Sequence, residues 1–240
     1  MGALPPVAVG NVPRRYLGQN EGRMMDWTAA VDGYCERVDP SFWAEPINAL
    51  TNAAFLVAAF WVWPRTRGLG RVLAVVLFAI GVGSFLFHTF AQPWAALADV
   101  LPIMLFVLIY VFAANRDFWD MAPWIAFGAT LLFFPYAAAT GWVFGQVPGL
   151  GGSAAYAPVA LLIYLYGIAL WRRAPETARG LVLGASILAV SLAARTIDEP
   201  LCAAIPLGTH FLWHVLNGVM LAWMILVWER HRVAAGGAGR

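Results

Sequence analysis

The chain has 240 residues, 61% of them hydrophobic and 12% charged, with a formal net charge of +2 and a mean hydropathy of +0.71. Soluble domains carry about 25% charged residues, so the composition points to a single membrane-embedded domain, and so small a net charge gives no footprint for nucleic acid. All 15 basic residues are arginine, which removes the lysine amine that a retinal Schiff base needs.

Residues 1–45 form a polar N-terminal segment, proline-rich at its start and without the apolar run of a cleavable signal peptide. Seven apolar stretches of roughly 17–22 residues follow, about the length that crosses a bilayer core, over residues 46–63, 70–90, 94–114, 121–139, 154–171, 180–196 and 208–228. Breakers separate them at Pro64 to Gly70, Asn115 to Asp120, Gly141 to Gly152, Arg172 to Arg179 and Ile197 to Leu207. The expected fold is an all-α integral membrane protein, a seven-transmembrane-helix bundle over residues 46–230. A flexible cytoplasmic tail over 231–240 would follow, its Gly/Ala end from Ala234 disordered.

Arginines orient the bundle. Arg65, Arg67, Arg71, Arg116, Arg172, Arg173, Arg179, Arg230, Arg232 and Arg240 follow the odd-numbered stretches, whereas Arg14, Arg15, Arg23, Arg37 and Arg195 fall on the other side. The positive-inside rule places the first set in the cytoplasm and the N-terminus outside it, in periplasm or lumen.

Several polar side chains interrupt the apolar stretches: Ser84 and His88 late in the second, Asp99 early in the third, and His210 and His214 early in the seventh. An ionisable residue at membrane depth costs roughly 2.5–3.5 kcal/mol on insertion scales and marks a functional site by default. The topology puts all five at one depth on the non-cytoplasmic side, and the i, i+4 spacing puts Ser84 beside His88 and His210 beside His214. Three imidazoles and a water make the open tetrahedral site of a catalytic zinc. Singly, each residue has a plainer role: a hydrogen-bonded histidine, a serine bonded back to the preceding turn, an aspartate at a helix N-terminus. Their common depth on three helices favours an embedded metal site. His231, in the Arg-rich tail, calls for no function. Arg195, Asp198 and Glu199 are expected to form a boundary ion pair and cap, and Asn217 to serve packing or gating.

Ser84-x-x-x-His88, Asp99 and His210-x-x-x-His214, preceded by Asp32-Gly33-Tyr34-Cys35-Glu36 and by the run Trp43 to Asn52 (WAEPINALTN), resemble the alkaline ceramidases. These belong to the wider CREST group of seven-helix membrane hydrolases, which includes the adiponectin-type receptors. The resemblance covers residues 30–230. It implies that His88, His210 and His214 bind zinc, that Asp99 positions the attacking water, and that Ser84 holds the substrate carbonyl or its oxyanion. It also implies a neighbouring calcium site, with Asp32, Glu36, Asp39 and Glu45 as oxygen ligands and Tyr34 supplying a carbonyl. The chain departs from the animal members there: Gly33 is inserted, and Val38 stands where a further ligand follows, so Asp39 would have to substitute. A solvated acidic loop is the plain alternative. Glu45 is the strongest calcium candidate, because Glu45, Asn48 and Asn52 share one helix face.

Topology puts Cys35 and Cys202 on the same outer side, where disulfides persist, and the resemblance implies that they pair; two free thiols are the alternative under the reverse orientation. The activity implied is zinc-dependent cleavage of ceramide or a similar N-acyl lipid to an amine base and a fatty acid, with the bilayer and its lipids as partners. A receptor-like protein of the adiponectin-receptor type, or a hydrolase of another lipid ester or amide, remain as alternatives.

Overall fold

The computed structural model describes residues 26–238; Arg14, Arg15, Arg23 and Arg240, counted above for orientation, lie outside them. Among the described residues the regular structure is entirely helical. In chain order the elements are α1 (Pro46–Thr51), α2 (Ala53–Val62), α3 (Leu69–Phe90), α4 (Pro93–Phe118), α5 (Pro123–Leu131), α6 (Phe133–Gly145), α7 (Ala157–Leu170), α8 (Pro175–Thr196), α9 (Asp198–Leu201) and α10 (His210–Ala238). Four of them, α1, α4, α5 and α8, begin on a proline. Its missing N–H and fixed φ suit the first helical position, so the residue that breaks one apolar stretch also starts the next helix.

Two rods contain a local break. α1 and α2 meet at Asn52 and α5 and α6 at Leu132, yet each pair continues as one apolar helix, Pro46–Arg65 and Pro123–Gly145. At the second break Pro135 lacks the N–H that Leu131 would otherwise receive, and Leu132 closes an i→i+3 bond to Ala129. With α3, α4, α8 and α10 these make six helices long and apolar enough to cross a membrane. The fifth expected stretch gives only α7, 14 residues long, entered through the 3-10 turn Gly151–Ala155.

Several boundaries differ from expectation. α4 continues through Asn115 to Phe118, because Asn115 is buried and bonded rather than solvated: Tyr166 donates to its Oδ1 at 2.5 Å. α6 runs to Gly145, the apolar Trp142-Val143-Phe144 carrying it past Gly141. α10 stays helical to Ala238, so the tail expected from residue 231 is an extension of the last helix. His231, assigned no role, accepts from Thr177 at 2.8 Å and donates to the Asp117 carbonyl at 3.1 Å, tying α10 to α8 and α4.

α10 is the axis of the bundle, packed against α8 and α2 and touching α3 and α4. Its Met220, Met224, Ile225 and Trp228 meet Leu73, Leu77 and Ile80 of α3 and Leu181 and Leu188 of α8 in the buried core. By contrast α4 to α6 turn Leu101, Leu105, Trp124, Phe127, Leu132 and Trp142 outward. Water would not tolerate so continuous an apolar surface, whereas lipid does.

Candidate metal centre and active site

Three histidines converge where α3 and α10 meet. His88, His210 and His214 are each at most 1% exposed, and one ligand atom from each lies within 4.8 Å of the others. Their ring centroids stand 4.6 to 5.1 Å apart.

Hydrogen bonds set the tautomers of two of them. His88 donates from Nδ1 to the Glu45 carboxylate at 2.6 Å. Thr51 spends its hydroxyl proton on the carbonyls of Ile47 and Asn48, at 2.7 and 3.1 Å, so its oxygen accepts from His214 Nδ1 at 2.9 Å. Both imidazoles therefore keep an Nε2 lone pair, an assignment that follows from their partners. Those two lone pairs face each other across 3.0 Å, an arrangement that repels unless a cation lies between them. Nitrogens bound tetrahedrally to zinc at about 2.0–2.1 Å stand about 3.3 Å apart, so the pair suits such an ion. His210 adds a third imidazole whose Nδ1 is buried without a hydrogen-bond partner. An all-imidazole set, two of its outer nitrogens held by a carboxylate and a hydroxyl, has a donor chemistry compatible with a zinc centre with an open position.

The sequence elements around the trio explain its placement. α10 starts on His210, and the buried Asp198 carboxylate accepts from the N–H groups of Thr209 and His210 at 2.6 and 2.8 Å, satisfying the helix start and its dipole. Gly208 makes the turn with φ +68°, and a Cβ there would lie 2.1 Å from Asp198 Oδ1. Asp198 also accepts from the Cys35 N–H at 3.1 Å, beside the disulfide that joins Cys35 to Cys202. The N-terminal loop is thereby fastened over α10, and Tyr34 stacks on His210 with ring centroids 3.7 Å apart. Burial pushes the Tyr34 hydroxyl up from its ordinary value, so it stays neutral.

Ser84, one turn before His88, is buried, and its hydroxyl lies against the partly buried Asp99 carboxylate of α4. The backbones make this possible: a Cβ on Gly83 would lie 1.9 Å from the Ala98 carbonyl oxygen. Only a residue without a side chain lets α3 and α4 touch there. The five residues read from the sequence as one site are therefore together.

Of the boundary ion pair and cap expected from Arg195, Asp198 and Glu199, the cap is formed by Asp198. Asp198 caps α10, while the Arg195 guanidinium lies over the rings of Tyr156, Trp213 and Tyr34, 5.1, 5.1 and 5.8 Å from their centroids. A cation is thus held beside the metal-capable trio by π faces. Asn217 donates to Ser191 and to the Trp213 carbonyl, both at 2.8 Å, a packing role.

The acidic loop does not fit the calcium expectation. Glu36 caps α1, accepting from the N–H groups of Ile47 and Asn48 at 2.7 and 2.8 Å. Asp39 is bonded by the Ser41 hydroxyl and accepts from the Ser41 N–H at 2.7 Å, and together these lower its carboxyl below the usual range. The Tyr34 carbonyl accepts from the Arg37 N–H at 3.2 Å, and Asp32 is exposed. Glu45 turns inward, binding His88, Arg37 (2.5 Å) and the Asn48 amide (3.1 Å). Burial would raise its carboxyl, but His88 and Arg37 outweigh burial and hold it below the usual range. Among the described residues the trio of histidines is the one group of such side chains that converges to hold a metal.

Glu45 was therefore visible as part of a polar helix face and assigned to calcium, whereas it binds His88 and Arg37; Thr51 and Arg37 carried no motif of their own. One signal was available for Thr51: it lies three residues after Asn48 and four before Phe55, on a face the bundle buries.

No curated protein matches the chain. The family model for Ceramidase matches residues 27–238, nearly all of the described chain, and the protein belongs to that family.

Proposed function

We propose that this protein is a zinc-dependent intramembrane amidase that cleaves ceramide or a closely similar N-acyl lipid. What supports it most is the pair of Nε2 lone pairs facing each other between His88 and His214, with His210 completing the set and Ser84 and Asp99 beside it. Ceramidase membership adds a lipid substrate with an amide bond. When bound, zinc lowers the pKa of a coordinated water to about 7 and polarises a carbonyl oxygen.

The chain's own groups do the rest. Asp99 takes the proton of the attacking water and returns it to the leaving nitrogen. Ser84 donates to the carbonyl oxygen as negative charge develops there. The water oxygen bonds to the acyl carbon, the C–N bond breaks, and a fatty acid and a free amine base result. A small, mainly apolar cavity lined by Phe55, Ile103, Val107, Leu188, Met220 and Leu221 reaches Trp213, the neighbour of His214.

In this proposal the chain crosses the bilayer seven times, with residues 151–170 as the fifth crossing, and the trio opens to the non-cytoplasmic side where the N-terminal loop lies. The arginine distribution supports that orientation.

The test is mass-spectrometric turnover by the purified protein of a panel of ceramides, other N-acyl lipids and lipid esters, with and without a chelator. Ceramide cleavage that the chelator abolishes and zinc restores is the expected result. Cleavage indifferent to the chelator would refute the zinc assignment, and preference for an ester would refute the amidase.

A further inference from the structure

We propose that Arg37 is the resident cation of the N-terminal loop, standing where the resemblance would put calcium, and that it positions the metal ligand His88 without any calcium ion.

Arg37 is 6% exposed, and its guanidinium is enclosed by oxygen. Nε donates to Glu45 Oε1 at 2.5 Å, Nη1 to the carbonyls of Asp39 and Ser41 at 3.1 and 3.3 Å, and Nη2 to the carbonyl of His88 at 3.1 Å. One carboxylate and three carbonyls are the kind of oxygen set a calcium ion takes. Here four of the five guanidinium N–H donors use them. The other expected ligands are spent elsewhere: Glu36 on the start of α1, the Asp39 carboxylate on Ser41, the Tyr34 carbonyl on the Arg37 N–H itself. A divalent ion at this place would face a buried guanidinium, and Asp32, the remaining expected ligand, is exposed on the loop.

Arg37 also grips His88 from two sides. Its Nη2 holds the His88 carbonyl, while its Nε holds Glu45, whose other oxygen takes the His88 Nδ1 proton. The planar fork of a guanidinium spans both partners at once, as the point charge of an ammonium does not. Backbone and ring of the same ligand are thus fixed by one side chain eight residues from Glu45 and 51 from His88. Arg37 is a positioning residue, and this second role rests on the histidine trio being the zinc site.

The test is a thermal-shift titration of the full-length protein in detergent with zinc content held constant. Calcium chloride and a calcium-selective chelator are each expected to leave the wild-type melting temperature unmoved. A rise with calcium or a fall with the chelator overturns the proposal, and this arm needs no variant. Arg37→Ala is expected to melt about 10 °C lower, as follows from stranding a buried carboxylate. It should bind zinc roughly 10- to 100-fold more weakly in competition with a chromogenic chelator, the usual loss when a metal ligand's support is removed. Arg37→Lys should recover only part of each loss, and Arg37→Ala with Glu45→Gln should melt above Arg37→Ala alone. Unchanged zinc affinity in Arg37→Ala, or full recovery by lysine, overturns the positioning role. Failure of the zinc assignment itself would show separately, as wild-type protein that binds no zinc.

Discussion

The backbones of Gly83 and Ala98 touch, so closely that the first carbon of any side chain at residue 83 would sit 1.9 Å from the Ala98 carbonyl oxygen. The next residue on each helix is a candidate catalytic group, Ser84 on α3 and Asp99 on α4. Gly83→Ala should therefore force α3 and α4 apart at the site, with an overpacking cost of about 1–3 kcal/mol. Turnover should fall more than zinc content, because two of the three histidines are on α10. Melting temperature, zinc stoichiometry and ceramide turnover measured together check this; unimpaired turnover would show that the contact does not set the Ser84–Asp99 geometry.

His214→Ala should lose the metal, leaving two imidazoles where three are needed. Thr51→Val should be milder, weakening zinc binding roughly 10- to 100-fold through loss of the oxygen that holds His214 Nδ1. Elemental analysis and chelator competition measure both. Full zinc occupancy in His214→Ala would remove that residue from the ligand set.

Asp99→Asn should keep zinc yet lose most turnover, since an amide cannot take the proton of the attacking water. Ser84→Ala should cost about 100- to 1000-fold in turnover, the usual loss on removing an oxyanion donor. Near wild-type rates in Asp99→Asn would assign the proton to another base.

Cys202→Ser should destabilise the protein by about 2–5 kcal/mol, because the bridge closes a sequence separation of 167 residues. Asp198→Asn should act on the same structure from the other side, weakening the carboxylate cap on α10 and the tie to Cys35. Both variants should loosen zinc binding by freeing His210. Melting curves and chelator competition read the two effects, and undiminished zinc affinity in both would separate the cap from the metal site.

Hydropathy is a property of short windows, so the sequence by itself determined the helical membrane class, most of the apolar spans and the five polar residues that interrupt them. The i, i+4 spacing is equally local, and it was enough to pair Ser84 with His88 and His210 with His214. The same spacing put Glu45, Asn48 and Asn52 on one helix face, which the fold turns inward. What a buried polar group binds is another matter, because it depends on which donors and acceptors arrive from distant segments. Glu45 could serve a calcium ion in a loop or a histidine 43 residues away, and only the packing of α1 on α3 chose His88. Arg37 looked like one more charge in an orientation count until the fold surrounded it with carbonyls that required a cation. Asp198 was expected in a boundary ion pair and cap with Arg195; only the fold showed that its cap is on the two unpaired N–H groups at the start of α10, while three aromatic rings took the guanidinium. Inside a bilayer no water can satisfy a misplaced polar group, so each such choice is decided by the tertiary structure that brings its partner within reach.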